Sequence, residues 1–218
     1  MNSPLIQLLV LAGIAIFLIL RLKNVLGTRE GFEKPKAPTP VDRRSRPDLE
    51  VIEGGPDRDI TDHVAEDSPA AQALTEMKRV EPGFSVSEFV QGARGAYEMI
   101  LMGYELGNLD EIQPFLAEDV FETFVAGVAA REDQGLKIEA EFIGVRETAI
   151  TDVHFDKDTN FAEITMRFVG ELTSVVRDRG GDIVEGSPTE IKRQKDSWTF
   201  GREMGAADPN WRLVATDG

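Results

Sequence analysis

The chain has 218 residues, enough for one ordinary domain plus accessory segments, and 41% of them are hydrophobic, enough to build a core. Lys and Arg total 24 against 39 Asp and Glu, a formal net charge of −15 at pH 7, which argues against general binding to phosphate backbones. There is no Cys, so disulfides, iron–sulfur clusters, thiolate zinc sites and cysteine nucleophiles are excluded; only His63 and His154 could act as imidazole ligands or bases.

The charge is distributed unevenly. Residues 1–20 carry no charged side chain, Arg21 to Arg46 nets +5, Pro47 to Glu76 nets −8, and Met77 to Gly218 nets −12. Pro4 to Leu20 is apolar except for Gln7, which is at the short end for crossing a hydrocarbon core; Arg21 can snorkel so that Leu22 contributes. A cleaved secretory signal needs a basic start and small residues after the apolar run. Here no basic side chain precedes the run, and Arg21-Leu22-Lys23-Asn24 follows it, so residues 1–22 are expected to be a retained membrane anchor. Arg21 and Lys23 flank it on one side only. The positive-inside rule then places the amino terminus outside and the rest of the chain in the cytoplasm.

Residues 23–67 are rich in proline and charge and poor in large apolar residues, which predicts a disordered linker. Within it, His63 is expected to be solvated and without a role. Order is predicted to begin at Ser68-Pro69, an N-cap followed by a proline at the first helical position. Ala70, Ala73, Leu74 and Met77 then recur at helical spacing until Glu81-Pro82-Gly83. A second helix is predicted from Val86 to Leu106, with Phe89, Ala93, Ala96, Tyr97, Ile100, Leu101 and Tyr104 on its apolar face. It carries Gly92, Gly95 and Gly103, each costing about 1 kcal/mol relative to Ala, which points to close approach of another element or to space left open. Leu109 to Leu116 reads as a short helix interrupted near Pro114, and Asp119 to Arg131 as a third long helix with Val120, Phe121, Phe124, Val125 and Val128 inward.

After Gln134-Gly135 the period changes to two. Ile138, Ala140 and Phe142 alternate with charged residues, a bulge is expected near Gly144, and Ala149, Thr151 and Val153 continue the pattern. Asp156 to Asn160 forms a loop before Ala162, Ile164, Met166 and Phe168. Arg179-Gly180-Gly181-Asp182 is a hairpin turn, and further strands run from Thr189 to Phe200 and from Asn210 to Ala215. Helices followed by a meander of amphipathic strands give an α+β domain over residues 68–218, with helices packed on one face of an antiparallel sheet.

Five segments together resemble the Tim44-like domain family: EPGF (Glu81–Phe84), SEFVQGARGAYEMI (Ser87–Ile100), GNLDEIQPFL (Gly107–Leu116), WTFGRE (Trp198–Glu203) and DPNWRL (Asp208–Leu213). The resemblance covers about Ala70 to Thr216, and the apolar start with its polar linker is similar to the bacterial members. It implies a cone like that of nuclear transport factor two, a curved sheet wrapped around helices with a large apolar pocket. It also implies attachment to the inner membrane. The long amino-terminal region with which mitochondrial members contact a chaperone has no counterpart here, so the resemblance leaves chaperone recruitment open.

Such cones also host enzymes, in which an Asp, His or Tyr inside the cavity moves a proton. The candidates here are Tyr97, Tyr104 and the His154-Phe155-Asp156 stretch. However, a tyrosine on an apolar helix face is usually core, and alternation with Val153 turns His154 to solvent. Asp156, Asp158 and Asn160 only distantly follow a calcium loop, lacking its glycine and distal glutamate. Neither a catalytic residue, a metal nor a cofactor is assigned. The expectation is a single-pass protein of a bacterial inner (cytoplasmic) membrane whose cytoplasmic domain is an adaptor for a protein partner, in protein translocation or membrane-complex assembly. Its concave pocket is predicted to be lined by Phe89, Ala93, Tyr97, Phe124, Phe142, Ile164, Met166 and Phe168. A carrier of lipid or fatty acid using the same pocket is the alternative, and a cone-fold enzyme a weaker one.

Overall fold

The structure, a computed structural model, describes residues 55–217. The expected anchor at 1–22, its flank Arg21 and Lys23, and the linker up to residue 54 lie outside the described residues. Among the described residues no helix is long and apolar enough to cross a membrane.

Helices come first and strands follow. α1 is a single turn, Arg58–Thr61; α2 spans Pro69–Val80, α3 Val86–Leu106, and α4 Leu109–Ile112, which continues into a 3-10 turn at Gln113–Phe115; α5 spans Glu118–Asp133. Four strands then form one antiparallel meander in the order β1 (Lys137–Asp156), β2 (Phe161–Arg177), β3 (Ile183–Glu203) and β4 (Arg212–Asp217). The fold is therefore α+β, as the switch of period indicates. The predicted termini of the long helices hold because their caps are local. Ser68 Oγ accepts from the Ala71 amide at 3.1 Å, and Ser85 Oγ accepts from the Glu88 amide at 3.3 Å. Gly107 closes α3 in the left-handed region at φ 77°, a conformation that costs glycine nothing.

The strands are longer than predicted. β1 is continuous through the expected bulge, with register shifts at Phe142/Gly144, Val145/Glu147 and Ile150/Asp152. β3 begins at Ile183 rather than Thr189, directly after the predicted Arg179–Asp182 turn. The face of β2 toward the helices, Ala162, Ile164, Met166 and Phe168, is fully buried. On β3 the alternate residues Asp196, Trp198, Phe200 and Arg202 are buried beside it, paired with Phe168, Met166, Ile164 and Ala162. α2 and α3 pack on the sheet from β1 inward. The 3-10 turn is joined to β4 by the Leu116–Leu213 bridge.

Order also begins earlier than Ser68. α1 buries Ile60, and its Asp59 reaches across to the start of α3, accepting from the Val86 amide at 2.7 Å, the Ser87 amide at 2.9 Å and the Ser85 hydroxyl at 3.1 Å. Lys78 Nζ sits 2.7 Å from both Asp57 and Asp59. His63, expected to be merely solvated, contacts Ser87 Oγ through Nε2 at 3.0 Å. Residues 57–63 are thus stapled to the domain through α1, a single turn with no apolar periodicity to announce it.

Candidate functional site

The most developed concavity lies where the amino-terminal half of α3 faces the ends of β3 and the segment before β4. It is a hollow of about 350 Å³. Gly92, Ala93 and Ala96 supply its α3 side, with Phe89 beneath them. Opposite stand Phe84, Phe200 and Trp211. These rings are packed among themselves: Phe89 meets Trp211 and Phe200 edge to face with centroids 4.7 and 6.1 Å apart, and Phe84 lies tilted to Trp211 at 6.0 Å. Such contacts fix the wall's shape.

One end is polar. Arg202, at the end of the inward row of β3, keeps only 6% of its side chain exposed. Its Nη2 donates to both oxygens of Glu81 at 2.9 Å and lies 3.4 Å from Met204 Sδ. The guanidinium carbon stands 5.2 Å from the Trp211 ring centroid, within cation–π range. Glu81 also accepts from the Gly205 amide at 2.9 Å. Burial alone would push the Glu81 carboxyl up; hydrogen bonds from Arg202 and Gly205 outweigh it and hold the carboxyl below its ordinary value. Among the described residues Arg202 Nε has no hydrogen-bond partner.

Of the eight predicted lining residues, Phe89 and Ala93 line this hollow. Tyr97, Ile164, Met166 and Phe168 do not; they are fully buried in the packed core. Tyr97 stacks on Phe168 with centroids 4.5 Å apart and 12° between planes. Its hydroxyl donates to Asp196 Oδ2 at 2.5 Å, while Gln194 Nε2 donates to the other carboxylate oxygen at 3.1 Å. Burial and the Asp196 carboxylate both push the Tyr97 hydroxyl well above its ordinary value, so it stays protonated. Gly170 makes this approach possible, since a Cβ there would stand 2.7 Å from the Tyr97 oxygen. Phe124 and Phe142 are partly buried against the core, outside the hollow. The sheet's centre is thus pressed directly onto α3, and the open space lies nearer the helix's start.

The other sequence candidates carry their own explanations. Tyr104 packs on Phe124 at 4.6 Å, with Arg131 over its ring at 4.6 Å. His154 is exposed. Asp156 spends both oxygens on its own turn, accepting from the Asp158 amide and the Thr159 hydroxyl at 2.9 Å each. Among the described residues no cluster of His, Cys, Asp and Glu is suited to hold a metal ion.

Sequence reasoning missed Glu81, Phe84, Arg202 and Trp211 as site residues. Their signal lay in plain view. Each of the five segments that carried the resemblance contributes to the hollow: Glu81 and Phe84 from the first, Phe89 to Ala96 from the second, Phe115 from the third, Phe200 and Arg202 from the fourth, Trp211 from the fifth.

Residues 70–218 match the family model of the Tim44-like domain. A mitochondrial import inner membrane translocase subunit, TIM44-1 of Arabidopsis thaliana, is 22% identical over 162 residues, covering 72% of this chain and 34% of that protein. The TIM44 subunit of Homo sapiens is 24% identical over 147 residues, covering 66% and 32%. The chain thus spans about a third of the length of these relatives. The intermembrane-space region of the chloroplast protein ARC6 superposes with a TM-score of 0.41 at 10% identity, over 59% of this chain and 94% of that one.

Proposed function

Because the chain belongs to the Tim44-like domain family, we propose that it is a membrane-anchored adaptor whose domain holds a protein partner through the aromatic hollow. The relatives bear the name of a subunit of a mitochondrial protein-import translocase, which favours a role in protein translocation or membrane-complex assembly. In this proposal residues 1–22 anchor the protein in a bacterial inner membrane, the domain faces the cytoplasm, and the helices and sheet form the family's cone. The observation that carries it is the convergence of all five family-like segments on one concavity, with aromatic side chains in its lining and a charged pair at one end. Aromatic anchors around a pocket are the usual energetic centre of a protein interface. No catalytic step is assigned: the Tyr97 hydroxyl, the best acid–base candidate, is committed to Asp196 inside the core.

A photo-crosslinking amino acid at Glu88, which lines the hollow, tests this in native membranes against a control at the exposed Glu190. A protein adduct formed from Glu88 and not from Glu190 is expected. Adducts to lipid alone would instead make the hollow a lipid carrier's site, and equal labelling from both positions would remove it as an interface. For topology, a reporter active only in the periplasm, fused after Gly218, should stay silent.

A further inference from the structure

Arg202 is the unusual feature of the hollow. A guanidinium carries five N–H donors in a rigid fork and is rarely buried without full use of them. Here the side chain is 94% buried by its 6% exposure, yet Glu81 engages Nη2 only and Nε is left without a partner among the described residues. An unmade bond at a buried donor is destabilising. On its α3 side the hollow has room: a Cβ added at Gly92 would meet no atom within 4 Å.

Charge and size together restrict what can complete the site. Glu81 already neutralises Arg202. Glu88 also stands on the hollow's lining, so its charged residues, Glu81, Glu88 and Arg202, already carry one negative charge in excess. A further carboxylate or a phosphate would therefore add an uncompensated negative charge to a partly dehydrated site, which is unfavourable. A neutral carbonyl oxygen meets the guanidinium without that cost. The volume of about 350 Å³ is at the low end of ligand pockets, roughly 300–1,000 Å³. A cavity of about 150 Å³ already holds benzene. One ring with the backbone on either side of it fits this space.

We propose that the hollow receives a peptide segment of the partner, inserting one aromatic or branched aliphatic side chain among Phe84, Phe89 and Trp211 and laying a backbone carbonyl against the Arg202 guanidinium. This rests on the adaptor assignment and names the chemistry of the partner's contact. It sets the site apart from one built for an acyl carboxylate or a lipid phosphate, for which the surplus charge would have to be basic.

The test uses the full chain in lipid nanodiscs, ¹⁵N-labelled, with N-acetyl-phenylalaninamide as probe and octanoate and N-acetyl-glycinamide as comparators. The expected result is saturable shifts of the Trp211 indole N–H and the Arg202 Nε–H with N-acetyl-phenylalaninamide, at an affinity about tenfold or more above that of octanoate. N-acetyl-glycinamide should leave both signals unmoved at the same concentration. Gly92→Leu adds a side chain on the α3 wall of the hollow, where a Cβ meets no atom within 4 Å, and should weaken the probe about tenfold or more while leaving the melting temperature at or above the parent's. Octanoate binding as tightly as the amide would overturn the proposal in favour of an acyl carboxylate. Absence of shifts up to solubility, or shifts unaltered in Gly92→Leu, would overturn it as well. Loss of the crosslinked partner in membranes with probe binding intact would sink the adaptor assignment alone, so the two failures are separable.

Discussion

Removing Glu81 strands a buried cation. In Glu81→Ala the guanidinium of Arg202 keeps its Trp211 ring and Met204 sulfur but loses its counter-charge and both carboxylate bonds. Breaking a fully buried pair on one side costs about 3–5 kcal/mol. The Glu81 side chain is 28% exposed, so water can reach part of the vacated space. That lowers the expected loss to about 2–3 kcal/mol, with partial solvation replacing part of the pair. For a folded unit of this size, the melting temperature should fall by roughly 5–10 °C. Urea unfolding of the full chain, followed by far-ultraviolet circular dichroism, measures the loss directly, and the slope against urea should stay constant. The decisive companion is Glu81→Ala/Arg202→Met, which removes the stranded charge and should be more stable than Glu81→Ala alone by about 1 kcal/mol or more. A single variant within about 0.5 kcal/mol of the parent, or a double variant less stable than the single, would refute the assignment of Arg202 as a buried charge held by Glu81.

Four further substitutions separate packing, polar pairing and capping. Gly170→Ala should cost about 1–3 kcal/mol by driving a methyl into the Tyr97 hydroxyl, whereas Gly95→Ala, with no atom within 4 Å of the new carbon, should stabilise by up to about 1 kcal/mol in the same urea series. Tyr97→Phe leaves the buried Asp196 without that donor and should destabilise by about 1–3 kcal/mol; an unchanged midpoint would deny the hydrogen bond its role. Asp59→Ala removes the acceptor for the first amides of α3 and should cost about 1–2 kcal/mol at neutral pH. Burial would push the Asp59 carboxyl up, but hydrogen bonds from Lys78, Ser87 and Val86 win and hold it well below its ordinary value. A group depressed on folding stabilises fully above its unfolded pKa, so the gap between parent and variant should persist from pH 8 to about pH 4 and narrow only below it. A gap that closes between pH 8 and 6 would assign the effect to another group.

What the sequence disclosed depended on how far apart the interacting residues are. The helix ends were legible because Ser68, Ser85 and Gly107 act within a few residues, and the strands because Ala162 to Phe168 alternate cleanly. α1 was not legible: Asp59 does its capping at Val86, 27 residues on, and leaves no periodic trace where it sits. The hollow was half legible. Phe89 and Ala93 follow from the apolar face of α3, but Tyr97, one turn further on, and the β2 row facing it are packed into the core instead, because periodicity does not say where along a face packing gives way to open space. Asp196 and Arg202 lie on the same inward row of β3 as Trp198 and Phe200, and their partners are 99 and 121 residues distant. A charged residue in an apolar alternation signals a buried pair, but not with whom.

The staple at α1 also decides how the domain would respond to tension. A pull delivered from the side of residue 55 passes through the Asp57 and Asp59 contacts with Lys78 and so loads α2 at its last turn. The Asp59 bonds to the Val86 and Ser87 amides carry the same pull to the start of α3. What lies directly behind them is the first turn of α3, where Ser85 and Glu88 border the hollow. Force applied there is therefore felt at the rim of the concavity as well as in α2.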